Sequence, residues 1–246
     1  MANIKNICII PCKAASTRLP QKNILPLAGH PLVAHSIKKA IKSKIFDTVM
    51  VSTENSYFAD IAREYGAQVP FLRPEYLSKD PSTIVDVIIH VLNQYAKNGL
   101  IYNNAYVLLP TTPFVKTEDI IEATKTYKNY KAEALLSVTL TNFPPFNAWI
   151  VKERRKRKSL VPCFPDSPYS LTKSTECPPT YQSNGGILIA DSDKLLEKGH
   201  YKDLKLVPYV MPRERSIDID TKLDYEFAKF LLDSNVCSIE EGLFNE

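Results

Sequence analysis

Apolar residues cluster in short runs at 7–10, 48–51, 105–109, 134–138 and 186–190. Runs of this length, near-continuously apolar, fit strands covered on both faces. Between them apolar positions recur at helical spacing over 31–44, 55–65, 82–97 and 117–130. The alternation predicts an α/β protein with a mostly parallel sheet, in which ligands sit beyond the carboxyl ends of the strands. Three polar segments fall at those ends: residues 12–23, Ser52-Thr53-Glu54 and Pro110-Thr111-Thr112-Pro113. All three are expected to face one crevice. Near the end of the chain, Thr221 followed by Asp224 reads as a capping-box start for a helix over 221–232.

The rhythm breaks between about 141 and 183, where seven prolines interrupt any regular element and Lys152 to Lys158 forms a basic run. This segment reads as an excursion from a single domain spanning 1–246. The basic run fits the tip of a solvated hairpin better than a polyanion site or a nuclear localisation signal.

Composition narrows the possibilities. The chain has 246 residues, 44% of them apolar, enough for one substantial core. A net charge of +4 suits anionic small-molecule substrates and is too weak to argue for nucleic acid. Five cysteines without CxxC spacing argue against a disulfide framework and a zinc site and suit a reducing cytoplasm. No apolar run approaches the length of a signal or membrane-spanning segment, so neither export nor anchoring is expected.

The segment after the first strand, Cys12-Lys13-Ala14-Ala15-Ser16-Thr17-Arg18-Leu19-Pro20-Gln21-Lys22-Asn23, places three cations around small residues. Small side chains let backbone N–H groups approach an anion, and fixed cations complete a phosphate cradle. A basic surface loop has the same composition. The absence of glycine separates the segment from a Walker A loop and from a dinucleotide fingerprint. Asp218 and Asp220, two apart on an extended stretch, can aim at one hard cation, magnesium by choice, although a plain strand-edge pair has the same spacing.

Ile9-Ile10-Pro11, a cation, then Ser16, Pro20, Lys22 and Asn23 before Pro26-Leu27-Ala28-Gly29-His30-Pro31-Leu32 resembles the opening of the sugar-acid cytidylyltransferases, the family of CMP-sialic acid synthetases. Four further segments match in order: Ser52-Thr53-Glu54, Phe71-Leu72-Arg73-Pro74 with Asp80 and Ser82, Pro110-Thr111-Thr112-Pro113, and Ser216-Ile217-Asp218-Ile219-Asp220. The resemblance implies a Rossmann-like three-layer α/β/α nucleotidyltransferase that joins CTP to a nonulosonic acid. It implies Lys22, Lys13 and Arg18 around the triphosphate, with Ser16, Asn23, Arg73 and Ser82 on the nucleotide. It further implies Thr111, Thr112, Tyr181 and Asn184 on the sugar, Asp218 and Asp220 on magnesium, and a homodimer built by the 141–183 excursion. Arg73 also fits a plain surface residue before a proline.

The chain departs from this family in places. Lys13 stands at a usual arginine, and an ammonium cannot reproduce a guanidinium's bidentate grip, for which Arg18 is the candidate compensation. Leu109 replaces a common glutamine and Val115 an arginine, which points towards the legionaminic or pseudaminic branch. Two alternatives stay open. Residues 15–20 resemble CMP-Kdo synthetases, whose Gln-Gly-Asp-Glu-Pro stretch is missing here; a non-catalytic nucleotide-binding relative is the other.

Overall fold

The computed structural model describes residues 5–154, 157–170 and 172–244, so Arg155 and Lys156 of the basic run lie outside the described residues. In chain order the elements are β1 (Asn6–Pro11), the short pair β2 (Pro26–Leu27) and β3 (His30–Pro31), α1 (Leu32–Ser43), β4 (Thr48–Ser52), α2 (Ser56–Glu64) and α3 (Ile84–Lys97). Then come β5 (Asn104–Leu108), α4 (Thr117–Asn129), β6 (Ala134–Leu140), β7 (Trp149–Arg154), β8 (Arg157–Pro162), β9 (Tyr181–Asp191), α5 (Ser192–Lys198), β10 (Leu206–Val210) and α6 (Lys222–Asp233).

The central sheet has six strands in the order β10-β6-β9-β5-β1-β4. β1 runs parallel to β4 and β5, and β10 parallel to β6, whereas β9 is antiparallel to β5. β1 shows why the apolar runs are continuous: its alternating residues feed opposite faces of the sheet. Cys8 and Ile10 enter a core with Val33 and Ile37 of α1, Phe58 of α2 and Ile120 of α4. Ile7 and Ile9 enter a second core with Ile88 and Val91 of α3 and Leu195 of α5. Helices therefore cover both faces, as the alternation predicted.

Helix ends follow local chemistry. α3 starts at a capping box of Thr83 and Asp86, and α6 at one of Thr221 and Asp224. α1 begins directly after Pro31, whose fixed φ suits helix entry, and its last turn closes through Lys44 in the left-handed region. The strand β10 and the helix α5 were not foreseen. The alternation of β10 is shallow, with exposed Leu206 and Val210 flanking half-buried Val207 and Tyr209, because it lies at the edge of the sheet.

The chain divides into two compact units, 1–138 with 183–246, and 139–182. The smaller holds the β7–β8 hairpin, paired from Trp149 with Pro162 to Arg154 with Arg157. The hairpin leaves Trp149, Ile150, Val151 and Leu160 exposed.

A cleft at the carboxyl ends of β1, β4 and β5

The opening loop leaves β1 at Pro11 and is tied down at once, because the Cys12 N–H donates to the Ser52 carbonyl at 2.8 Å. Gln21, at φ 53°, turns the chain into a single 3-10 turn, Lys22–Ile24. Asn23 is buried there, and its side-chain amide donates to the Lys13 carbonyl at 2.9 Å, bracing the loop from inside. Lys13, Lys22, Asn23, Arg73, Ser82 and Thr111 then line one cleft, with Leu77, Val87, Leu109 and Pro110 as its apolar floor.

One wall of this cleft is a closed hydrogen-bond network. Glu54, just past β4, accepts from the Ala14 N–H at 2.7 Å and the Ala15 N–H at 3.4 Å through one oxygen. Its other oxygen accepts from the Arg73 guanidinium at 2.9 Å and the Ser78 hydroxyl at 2.8 Å. The Arg73 and Glu54 side chains are only 3% and 13% exposed, and the Arg73 N–H donates to the Thr53 carbonyl. Burial alone would raise the Glu54 carboxyl, but Arg73, the backbone N–H groups and Ser78 outweigh it and hold it below the ordinary value. This revises the phosphate cradle expected from the sequence. The Ala14 and Ala15 N–H groups are held by Glu54, and the Ser16 N–H by the Ala14 carbonyl, so these three do not face an anion as expected.

The opposite rim brings the two ends of the chain together. The Lys22 ammonium lies 2.6 Å from one Asp220 oxygen, and Arg18 lies 2.8 Å from the other. Burial would raise Asp220, yet Lys22 and Arg18 hold it below the ordinary carboxylate value. Asp218 behaves oppositely. Burial pushes its carboxyl up, and a Thr111 hydrogen bond and Lys22 only partly oppose the shift. Its Oδ1 is buried without a hydrogen-bond partner among the described residues. Such an atom is costly to leave orphaned, and it fits a hard divalent cation. Among the described residues no group of three or more His, Cys, Asp or Glu gathers, so a cation here would draw its remaining ligands from phosphate oxygens and water.

The aspartate arm is locked to the Pro110–Pro113 turn, where the Ile219 N–H donates to the Thr111 carbonyl at 2.8 Å. Gly185, at φ +70°, packs beside it. A Cβ there would stand 3.0 Å from Leu109 Cδ1 and 3.5 Å from Asp218 Oδ2, so glycine serves both the backbone and the close approach.

Among the expected sugar contacts, Thr111 and Thr112 are buried in the turn, and the Thr112 hydroxyl is turned to the Leu109 carbonyl at 3.0 Å. Tyr181 belongs to the 139–182 unit and is half exposed. Asn184 is a correction. Its oxygen accepts from the Ser137 hydroxyl and the Gly186 N–H, and its nitrogen donates to the Ser216 hydroxyl and the Met211 sulfur. An amide so occupied has no group left for a sugar, and it braces the segment that leads into Asp218 instead. Ser82 lines the cleft with its hydroxyl donated to the Tyr76 carbonyl, whereas Ser16 is half-buried and outside that lining. Glu54 fell within the Ser52-Thr53-Glu54 segment expected at the crevice but was assigned no role there. Ser78 was missed, and it had no sequence signal.

A mostly parallel α/β sheet with a cationic loop, a buried guanidinium and a carboxylate arm around one crevice fits a nucleotide-handling enzyme. The cytidylyltransferase family profile matches residues 7–163, and the chain belongs to that family of nucleotidyltransferases. It is 32% identical to the CMP-N,N'-diacetyllegionaminic acid synthase of Legionella pneumophila, over 93% of this chain and 97% of that one. It is 30% identical to the pseudaminic acid cytidylyltransferase of Campylobacter jejuni, over 94% and 98% of the two chains. In fold it is similar to a solved CMP:2-keto-3-deoxy-manno-octonic acid synthetase complexed with CTP, at a TM-score of 0.68 and 14% identity over 94% of this chain and 99% of that one.

Proposed function

We propose that the chain transfers the cytidylyl group of CTP to the anomeric hydroxyl of a nonulosonic acid, giving the CMP-sugar and pyrophosphate. The observation that carries the reading is the contact of Lys22 with Asp220, which unites the phosphate loop and the carboxylate arm at the edge of the cleft. The whole-length relatives named for legionaminic and pseudaminic acids support the sugar class. The Kdo reading has behind it only the shared fold and the likeness of residues 15–20.

In this reading Arg73, Asn23 and Ser82 hold the cytidine, and the buried Arg73 Nε, which has no partner among the described residues, is a donor available to the base. Lys22 and Lys13 hold the triphosphate as point charges and Arg18 through its guanidinium fork, so that the acceptor oxygen and the α-phosphorus meet in line. A bond forms between that oxygen and phosphorus, the bond to the β-phosphate oxygen breaks, and the hydroxyl proton passes to solvent. Cations fixed beforehand around the departing pyrophosphate supply most of the acceleration, and no covalent intermediate is required. Magnesium held by Asp218 and Asp220 would neutralise polyphosphate charge, which also frees Lys22 and Arg18 from Asp220 for the substrate.

Leu109 at the cleft floor gives the sugar side an apolar contact in place of an amide. The exposed apolar residues of the β7–β8 hairpin support a homodimer formed through the 139–182 unit. Five free cysteines support a reducing compartment such as the cytoplasm. No helix among the described residues is long and apolar enough to cross a membrane.

The test is pyrophosphate release with CTP, magnesium and a panel of legionaminic, pseudaminic, N-acetylneuraminic and Kdo acids. Turnover of one of the first three is expected. Preference for Kdo, or silence across the panel, overturns the reading.

A further inference from the structure

We propose that Glu54 is a positioning residue that couples the base wall of the cleft to the phosphate loop, so that discrimination of cytosine depends on it. The inference rests on the CTP reading above. Glu54 spans two segments far apart in the chain: one oxygen takes the Ala14 and Ala15 N–H groups, the other takes Arg73 and Ser78. Lys13, beside Ala14, and Arg73 both line the cleft, so the carboxylate joins the segment that meets phosphate to the segment that meets the base. Its own place is rigid, since it sits between the end of β4 and Asn55, which caps α2 by accepting from the Phe58 N–H at 3.2 Å.

Charge matters as well as shape. An anion accepts all four donors, whereas a neutral amide presents a single acceptor oxygen and sets an N–H against the remaining donors. A displaced Arg73 then loses its aim at the base, and the Ala14–Ala15 peptide is released together with it. Glutamate also reaches one methylene further than aspartate, and contacts of 2.7 to 2.9 Å on both oxygens leave no slack for a shorter side chain.

The experiment measures CTP and UTP binding by calorimetry to wild type, Glu54→Gln and Glu54→Asp, at fixed magnesium, with thermal melts and the KM of the sugar acid alongside. Glu54→Gln is expected to weaken CTP by about 10-fold or more, the scale of a lost charge-assisted hydrogen bond. UTP should weaken less, so that the CTP-to-UTP ratio narrows while the sugar-acid KM stays within about 2-fold. Glu54→Asp, which keeps the charge, should fall between wild type and Glu54→Gln. A Glu54→Gln variant that melts like wild type and keeps the CTP-to-UTP ratio overturns the proposal. A fall in melting temperature with every affinity lowered equally and the ratio intact in both variants also overturns it, since that is a purely structural ion pair. Failure of wild type to bind CTP is seen separately and defeats the nucleotide reading itself.

Discussion

The two sides of the cleft solve their electrostatics differently. On the base side, Glu54 meets four donors and Arg73 is paired, so a buried charge is matched within the protein. On the arm side, Asp218 has a buried oxygen with no partner among the described residues, and Asp220 is shared between Lys22 and the exposed Arg18, both of which a polyphosphate can draw away. A matched buried pair holds its geometry before a ligand arrives, whereas an unmatched carboxylate stores a demand that a cation can meet. One side is thus matched within the protein, and the other is left open.

Substitutions should separate these roles. The largest effect is expected at Asp218. Asp218→Asn should lower kcat by about 10²- to 10³-fold, the scale for losing a group that organises transition-state charge, while the melting temperature holds or rises because a costly buried carboxylate is gone. Pyrophosphate release and a thermal melt read both. A large fall in melting temperature would erase the contrast, since Asp218 would then be matched after all.

Arg73→Met should act on the fold as well as on CTP binding. Leaving Glu54 without its guanidinium costs about 3 kcal/mol, and chains of this length lose roughly 2–4 °C of melting temperature per kcal/mol. Urea unfolding measures the loss.

Lys39 sharpens the comparison from beneath the Pro110–Pro113 turn, where its ammonium donates to the Pro113 carbonyl. Burial lowers its pKa from 10.5 to about 7, against the opposing pull of Glu240 and Asp119. Above pH 7 the unfolded chain holds this proton more tightly than the folded one, so stability rises with pH from about 7 towards 10.5. Lys39→Met should remove that rise, worth at most about 1.4 kcal/mol per pH unit, and leave the CTP-to-UTP ratio unchanged. Thermal melts at pH 6.5, 7.5 and 8.5, set by choice of buffer, compare the two proteins. A pH-independent difference between them would show that Lys39 stays charged throughout.

Much of this was legible along the chain. Runs of apolar residues marked the strands of the sheet core, since β1, β4 and β5 are covered on both faces and keep their polar residues, Asn6, Thr48, Ser52 and Asn104, to their ends. The capping pair Thr221 and Asp224 marked the start of α6 because capping is a local hydrogen-bond matter. Lys22 and Asp220 were picked from opposite ends of the chain for one site, as a phosphate cation and a metal ligand, and the structure sets the two side chains in contact. Asn184 and Glu54 were misjudged or missed for one reason: the partners that define them are remote. Asn184 is used up by Ser137 and Ser216, and the Ala14 N–H group turns from phosphate towards Glu54, 40 residues on.

The sequence alone determined the layering, the helix starts and the types of charge available to the cleft, because periodicity, capping and residue chemistry act within a few positions. Only the tertiary structure decided which charges are already matched and which are left open. Matching a buried donor or acceptor is a question of what lies within about 3 Å in space, and chain order does not supply that distance.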